Sequence, residues 1–296
     1  MEKKKLIANG QLILASAIWG FAFVAQRVSM GIVGPFTFGA TRYLLGALTL
    51  YLLIRILRFR GQELPITKGA IKGGISCGVF LFLGSSLQQI GLVYTTASKG
   101  GFITALYIIL VPVLAGILFK KKVSLRVWIG VALATLGLYL LSFSGAVEDI
   151  NIGDVLVFLG AFLWAGHIFA IDHFVKKYEP LVLSMVQFLF ASAASAIIAL
   201  VFETIEIKSI LEAAIPILYA GIFSAGMGFT LQMMGQRHTD PTIASMILSL
   251  EAVFGAIGGF LLLNEIMTAR ELTGFVLIFV AIILAQLPAK QRIQNE

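Results

Sequence analysis

Two ionisable side chains, Glu251 and Arg42, lie deep inside apolar stretches of this sequence, where a charge is expensive. Glu251 follows Pro241 by ten residues, which is about 15 Å along a helix and near the middle of a hydrocarbon core about 30 Å thick. A lone carboxylate at that depth is protonated or paired with a cation, because burial disfavours charge. Glu251 is therefore a candidate proton carrier or counter-charge for a cationic substrate, with a structural carboxyl bonded to neighbouring helices as the alternative.

Arg42 follows Pro35 by seven residues, about 10 Å into another apolar stretch. An arginine keeps its proton, so its guanidinium must face water, a carboxylate or an anion. The spacing is compatible with an anion clamp, with a partner for Glu251 or with a strut between helices.

Aromatic and amide side chains complete the candidate site. Trp164 and His167 are three residues apart and share a helix face, and Trp19 precedes Gly20, which lets another helix approach. The tryptophans fit a cavity wall or plain packing, and His167 fits a hydrogen-bonded packing residue or a proton relay. Amides at this depth need partners, as contacts between helices or as site lining. They are Gln88, Gln89 and Gln232.

The sequence offers little support for enzyme chemistry. The run Gly74-Ile75-Ser76-Cys77-Gly78 matches the G-x-S-x-G nucleophile elbow, but that motif requires a strand-turn-helix context and this copy lies in an apolar helix. H-E-x-x-H and P-loop motifs do not occur. The single cysteine excludes a cysteine-rich metal site and is expected to pack as a small hydrophobe. A membrane-embedded enzyme should show paired acids or a ligand cluster at mid-depth, so we expect no catalysis, no metal and no cofactor.

Composition sets the class of the chain. Of its 296 residues, 59% are hydrophobic and 12% charged, and its mean hydropathy is +0.97. Soluble domains carry about 25% charged residues, so there is too little polar surface here for a soluble globule. Runs of about 20 apolar residues suit membrane-spanning helices. We predict an all-α membrane protein with ten spans: 11–30, 35–55, 70–93, 97–119, 125–143, 153–173, 180–202, 213–235, 241–263 and 270–288.

Three residues within these spans carry local expectations. Pro112 falls inside the fourth span and predicts a kink there, because it removes one backbone hydrogen bond. Lys99 and Arg27 lie near the outer ends of their spans and are expected to reach the surface by snorkelling.

The net charge of +7 comes from short loops, a pattern typical of the cytoplasmic side of a membrane and not of nucleic-acid binding. With ten spans these basic residues fall on one side and the acids mostly on the other, which predicts that both termini are cytoplasmic. The basic residues are Lys3, Lys4, Lys5, Arg55, Arg58, Arg60, Lys68, Lys72, Lys120, Lys121, Lys122, Arg126, Lys176, Lys177, Arg237, Lys290 and Arg292. The acids are Glu148, Asp149, Asp154, Glu203, Glu206, Glu212, Glu265 and Glu271.

The chain repeats itself. Trp19 and Pro35 recur as Trp164 and Pro180, a shift of 145 residues. A second set recurs with a shift of 144: Leu87, Gln88, Gly91, Thr95, Leu106, Arg126 and Gly130 as Leu231, Gln232, Gly235, Thr239, Leu250, Arg270 and Gly274. Five helices per repeat is an odd number, so the second copy should be inverted in the membrane. We predict two such repeats, 1–147 and 148–296, an arrangement suited to opening alternately to two sides.

At these residues the sequence resembles the EamA-type transporters of the drug/metabolite transporter superfamily. The resemblance rests on Trp19-Gly20, on Arg42, on the stretch from Thr95 to Pro112, and on the second-half residues that follow. These are Ser249-Leu250-Glu251-Ala252-Val253-Phe254, Leu262-Leu263-Asn264-Glu265 and Gly274. Ala252 replaces the family's usual proline, so the residue that would kink helix nine is missing. The resemblance implies ten spans, inverted repeats, a central cavity and export of small metabolites, amino acids or drugs.

These observations predict a secondary-active carrier of small organic solutes in a bacterial inner membrane, with protons as a candidate coupling ion. The substrate or coupling residues are predicted to be Glu251, Arg42, Trp19, Trp164, His167, Gln88 and Gln232. Two alternatives stay open. A nucleotide-sugar or phosphosugar antiporter of the same superfamily should carry several cationic side chains for the phosphates, whereas this chain offers mainly Arg42. A non-transporting membrane scaffold would not need an aqueous cavity.

Overall fold

The computed structural model describes residues 2–95, 97–142, 151–263 and 268–286, and within these ranges the chain is helical and contains no strand. We number the long helical segments α1–α10. The uninterrupted ones are α1 Glu2–Ser29, α2 Pro35–Phe59, α3 Lys68–Tyr94, α5 Leu125–Ser142, α6 Ile152–Val175, α7 Pro180–Phe202 and α10 Ala269–Gln286. The composite ones are α4 (Ala97–Ala105, Tyr107–Phe119), α8 (Ala214–Leu218, Tyr219–Phe229, Thr230–Gln236) and α9 (Pro241–Leu248, Leu250–Leu263).

The helices confirm the all-α membrane class. In the described parts of the chain, 9 helices are long and apolar enough to cross a membrane, and the apolar stretch Leu125–Leu141 in α5 is shorter. The ten-span count therefore stays a prediction. The predicted junction at 147/148 and the residues Glu148, Asp149, Glu265, Lys290 and Arg292 lie outside the described residues.

Two helices are interrupted near their middle, at Leu106 in α4 and at Ser249 in α9. The break in α4 lies six residues before Pro112, where the Leu106 backbone N–H donates to Ile103 O at 3.2 Å in a tighter turn. Pro112 itself lies inside the helical segment Tyr107–Phe119, and a kink there stays a prediction. The break in α9 forms without a proline. Its Ser249 hydroxyl donates to Met246 O at 2.7 Å, a serine back-bond that bends helices.

The main helix contacts relate the two halves of the chain. The contacting pairs are α1 with α8 and α9, α6 with α3 and α4, α2 with α7 and α8, α3 with α7, α4 with α9, and α5 with α10. The pairs are the same when each helix is replaced by its equivalent in the other half, that is, when α1 is exchanged with α6, α2 with α7, and so on to α5 with α10. Helices of each half therefore pack largely against the other half, which places the space between them at the centre of the molecule.

Equivalent glycines make the corresponding contacts. A Cβ on Gly91 of α3 would lie 2.6 Å from Val157 Cγ2 on α6, and one on Gly235 of α8 would lie 2.7 Å from Leu12 Cγ on α1. In both cases a backbone carbonyl of the facing helix lies 2.8 Å away. Only glycine allows backbones to approach this closely, so the sequence repeat is matched by a repeated packing contact.

The two ends of the bundle differ. Beyond α3, Lys99 Nζ lies 2.8 Å from Asp154 Oδ2, and the Thr95 hydroxyl donates to Asp154 Oδ1 at 2.7 Å. At the equivalent place beyond α8, the Thr239 hydroxyl lies 3.5 Å from Asn9 Oδ1, so the contact there is neutral and longer. Lys99 is 7% exposed.

The expectation that Lys99 lies at the surface was therefore wrong. Its ammonium group is held by the Asp154 carboxylate and does not reach out to water. Arg27 fulfils the same expectation, because it is exposed and donates to Leu92 O at 2.8 Å. Cys77 is buried within α3, as expected for a packing residue, and Ser76 beside it lies in the same continuous helix.

Candidate functional site

A cavity lies between the halves and is bordered by α1–α4, α6, α8 and α9. It contains about 570 Å³ of space, counting the part open to solvent. All the predicted site residues line it: Trp19, Arg42, Gln88, Trp164, His167, Gln232 and Glu251. Their gathering at one place is a structural fact, and their role in binding stays a prediction.

Glu251 and Tyr107 meet at the two helix breaks. Each begins the first turn after its break, in α9 and α4 respectively. The Tyr107 hydroxyl donates to Glu251 Oε1 at 3.2 Å, and both side chains are about 95% buried. Interrupted helices bordering a central cavity are the arrangement in which carriers place substrate and coupling-ion sites.

Arg42 lies in the cavity wall without a carboxylate partner among the described residues. Its Nη1 donates to Gln26 Oε1 at 3.2 Å and its Nη2 to the Tyr43 hydroxyl at 2.8 Å. The guanidinium also lies over the rings of Phe38 and Tyr43, at 5.0 and 4.5 Å from their centroids. Of the three alternatives for Arg42, pairing with Glu251 is not observed in the described residues: the Arg42 guanidinium bonds to Gln26 and Tyr43, and Glu251 Oε1 accepts from Tyr107.

Gln26 organises one side of the site. Its Oε1 accepts from Arg42 Nη1 and from Gln88 Nε2, the latter at 3.4 Å. Gln88 in turn accepts from Trp164 Nε1 at 2.8 Å. A continuous chain of hydrogen bonds thus runs from α2 through α1 and α3 to α6, and it fixes the orientation of Arg42 and Trp164 together.

Aromatic rings also line the cavity. Trp19 and Phe229 have centroids 4.6 Å apart, and Trp164 and Phe229 are 6.1 Å apart and nearly parallel. Trp19 Nε1 donates to Ser224 O at 3.1 Å. Ser224 and Phe229 belong to the π-helical segment Tyr219–Phe229, a rare conformation that often occurs at functional sites.

His167 bonds to Gln187 of α7, with Nε2 and Oε1 3.0 Å apart. At the next residue of α6, Ile168 O accepts a hydrogen bond from Gln236 Nε2 at 3.1 Å. Gln187 Nε2, Gln236 Oε1 and Gln232 Oε1 are buried without a hydrogen-bond partner among the described residues. His167 is therefore both a hydrogen-bonded packing residue and part of the cavity wall.

Several lining residues were missed by sequence reasoning although signals for them existed. Tyr107 precedes Glu251 by 144 residues, so aligning the repeats on Glu251 would have found it. Gln26 follows Trp19 by seven residues and Phe229 precedes Gln232 by three, which are same-face helical spacings. In the described residues there is no group of three or more His, Cys, Asp or Glu side chains that could hold a metal.

Comparison with known proteins gives this architecture a family. The profile of the EamA-like transporter family matches residues 6–143 and again residues 151–287. The chain belongs to the EamA-like transporter family. It is thus a multi-pass membrane protein of the drug/metabolite transporter superfamily, as the resemblance in Trp19-Gly20 and around Glu251 predicted.

EamA-like relatives share most of their length with this chain. An uncharacterized transporter of Archaeoglobus fulgidus is 32% identical over 96% of this chain and 87% of its own length. The uncharacterized transporter YoaV of Bacillus subtilis is 24% identical over 90% and 92%. The chloroplastic WAT1-related protein At3g02690 of Arabidopsis thaliana is 26% identical over 94% of this chain and 69% of its own. A protein crystal structure, 18% identical, shares the fold with a TM-score of 0.77 over 97% of both chains.

Proposed function

We propose that this EamA-like protein is a secondary-active carrier of small organic solutes that works by alternating access, with export as the net direction. The observation that carries the proposal is the central cavity bordered by both halves, with Tyr107 and Glu251, which directly follow the two helix breaks, in its wall. A solute held there contacts both halves at once, so a rocking motion of one half against the other could expose it to either side.

The membrane arrangement belongs to the same proposal. Ten spans, with the repeats 1–147 and 148–296 inverted relative to each other, would place both termini in the cytoplasm. The exchange of helix contacts between the halves and the matched glycines Gly91 and Gly235 support this arrangement. A bacterial inner membrane is the proposed location. Reporter fusions at the N-terminus and at residues 145–152 test it, since inversion requires the two to lie on opposite sides.

Transport itself is tested by reconstitution. Purified protein in liposomes should drive counterflow of at least one solute from a panel of amino acids, nucleosides, polyamines and cationic dyes. The same solute should raise the melting temperature of the protein by mass action. Absence of flux for every compound that shifts the melting temperature would favour a non-transporting scaffold.

Proton coupling through Glu251 is the proposed source of energy, since this carboxyl lies buried at the cavity and bonds to one neutral hydroxyl. Glu251→Gln keeps the shape of the side chain and removes its titratable proton. We expect the variant to retain counterflow and to lose its dependence on a pH gradient. An unaltered pH dependence in Glu251→Gln would remove Glu251 from the coupling mechanism.

A nucleotide-sugar or phosphosugar antiporter is the second candidate within the superfamily. Phosphate recognition usually gathers several cationic side chains. Among the residues that line the cavity, Arg42 is the only lysine or arginine. The cavity therefore favours a solute with at most one negative charge, and sugar phosphates added to the counterflow panel serve as the check.

A further inference from the structure

The charge of Arg42 has no counter-charge in the described residues. The side chain is 6% exposed, and both hydrogen bonds of its terminal nitrogens go to neutral oxygens, those of Gln26 and Tyr43. Its Nε–H has no hydrogen-bond partner at all among the described residues. Buried charges in proteins are nearly always paired, because an uncompensated charge in a low-dielectric interior is costly. The missing partner is therefore expected to come from outside the chain.

The geometry points to a carboxylate of the transported solute as that partner, an assignment that rests on the proposed carrier function. A guanidinium presents five N–H donors in a planar fork that matches the two oxygens of a carboxylate. Two donors of Arg42 are used by Gln26 and Tyr43, and the Nε–H is free. The guanidinium lies over the rings of Phe38 and Tyr43 and donates hydrogen bonds to Gln26 and Tyr43. These contacts hold it in place before the solute binds.

The rest of the wall indicates the body of the solute. The rings of Trp19, Trp164 and Phe229 offer a flat apolar surface within the same cavity. The substrate class is thus a small organic monocarboxylate with an aromatic or other apolar body.

A monocarboxylate also suits the balance of charge in the cavity better than a more highly charged anion. Glu251 is the one acid in the wall, and its carboxyl is engaged by Tyr107 instead of by Arg42. A second negative charge on the solute would lie in the same small cavity as Glu251 without a second cation. A carboxylate bearing an amino group remains compatible with the assignment, because the recognised group is unchanged.

Matched pairs of acids and amides test the assignment by binding alone. The probes are benzoate, phenylacetate, 3-phenylpropanoate and 4-phenylbutanoate, each with its carboxamide, titrated into purified wild-type protein by calorimetry. At least one acid should bind and its amide should bind about tenfold or more weakly, since only the acid offers a charge to the guanidinium. If no acid binds more tightly than its amide, the assignment is overturned.

Variants at Arg42 test whether this residue causes the tighter binding of the acid. Arg42→Lys keeps the charge but loses the fork, and Arg42→Gln loses both. Each should weaken the acid about tenfold or more and leave the amide unchanged, with the larger loss in Arg42→Gln. Unchanged acid affinity in both variants overturns the assignment. Should either variant fail to fold, Gln26→Leu and Tyr43→Phe keep the cation and disturb its orientation, and unchanged acid affinity in both has the same consequence.

The failure of this assignment is distinguishable from the failure of the carrier proposal. Flux of another solute in liposomes, without binding of any acid that depends on Arg42, overturns the substrate class and leaves the carrier intact. Acid binding that depends on Arg42, without flux of any bound acid, supports the site and overturns the carrier. The two measurements use the same full-length protein.

Discussion

Tyr107 and Glu251 are separated by 144 residues, the shift that relates the two halves, and the Tyr107 hydroxyl donates a hydrogen bond to Glu251 Oε1 at 3.2 Å. Two positions that are equivalent in the repeat thus contact each other in the cavity wall. Because one of them is tyrosine and the other glutamate, the acid occurs once at the centre. The two copies thus share a framework but differ at this central position.

Replacing the hydroxyl of Tyr107 tests this contact. Tyr107→Phe leaves the ring in place and removes the hydroxyl that donates to Glu251 Oε1. A buried hydrogen bond contributes about 0.5–1.5 kcal/mol net, so we expect a change of about 2- to 10-fold in the counterflow rate. Proteoliposome assays measure it. Tyr51→Phe is the control, since Tyr51 is 48% exposed, and equal rates in both variants would argue against a role for the contact.

The ion pair of Lys99 and Asp154 should matter for stability. Removing one partner of a buried ion pair lowers the free energy of unfolding by about 3–5 kcal/mol. We therefore expect Asp154→Asn and Lys99→Met each to lower clearly the melting temperature of the protein in detergent. The exposed pair of Lys208 and Glu212 is the matched control, with side-chain exposures of 86% and 55%. Lys208→Met should leave the melting temperature unchanged. Equal effects at both pairs would show that burial of the first pair has no energetic consequence.

Gly20 is predicted to set the distance between α1 and α9. A Cβ there would lie 2.6 Å from the backbone N of Gly255 and 2.7 Å from the backbone O of Glu251. Gly20→Ala should therefore destabilise the protein by about 1–3 kcal/mol and disturb the cavity at Glu251. Gly10→Ala, on the same helix with no atom within 4 Å, should be neutral. A scan of thermal unfolding compares the two, and a tolerant Gly20→Ala would contradict the tight packing.

Gln26 is predicted to be a positioning residue. Its Oε1 holds both Arg42 and Gln88, so Gln26→Leu should loosen the guanidinium without removing its charge. We expect a higher KM for a transported solute, with a smaller change in the maximal rate. Gln26→Glu keeps an acceptor at the same place but gives Arg42 a carboxylate within the protein, so it should weaken the binding of an acidic solute further. A uniform loss of rate in both variants, with KM unchanged, would indicate a structural role instead.

Much of the fold followed from composition and spacing, because each apolar run had a clear length and Pro35 and Pro180 stand at the first positions of their helices. The helix breaks in α4 and α9 could not be predicted from composition and spacing. The interruption at Ser249 arises from serine back-bonding and packing at the cavity, and no local breaker marks it. The π-helical turns of Tyr219–Phe229 likewise carry no proline and no distinct pattern.

The candidate site was largely accessible from the sequence, since an ionisable or amide residue stands out against an apolar background. That logic located Glu251, Arg42 and Gln232 around one cavity. The same reasoning failed for Lys99. The position of a residue along its helix does not show which side chain of a neighbouring helix lies opposite it. Asp154, the partner that buries Lys99, lies 55 residues away, a contact that only the tertiary structure reveals.

The unequal ends of the bundle have a consequence for a rocking carrier. Opening the end at Thr95 would separate the buried charges of Lys99 and Asp154, 2.8 Å apart. The ion pairs at the other end, Lys121–Asp240 and Arg237–Glu179, are longer, at 3.6 Å, and much more exposed. If the protein rocks as proposed, opening the end with the buried pair would cost more than opening the other end, because breaking a buried ion pair is costlier than breaking an exposed one. Although its two halves are similar, such a carrier would then favour, in the absence of solute, the conformation in which the end at Lys99 and Asp154 is closed.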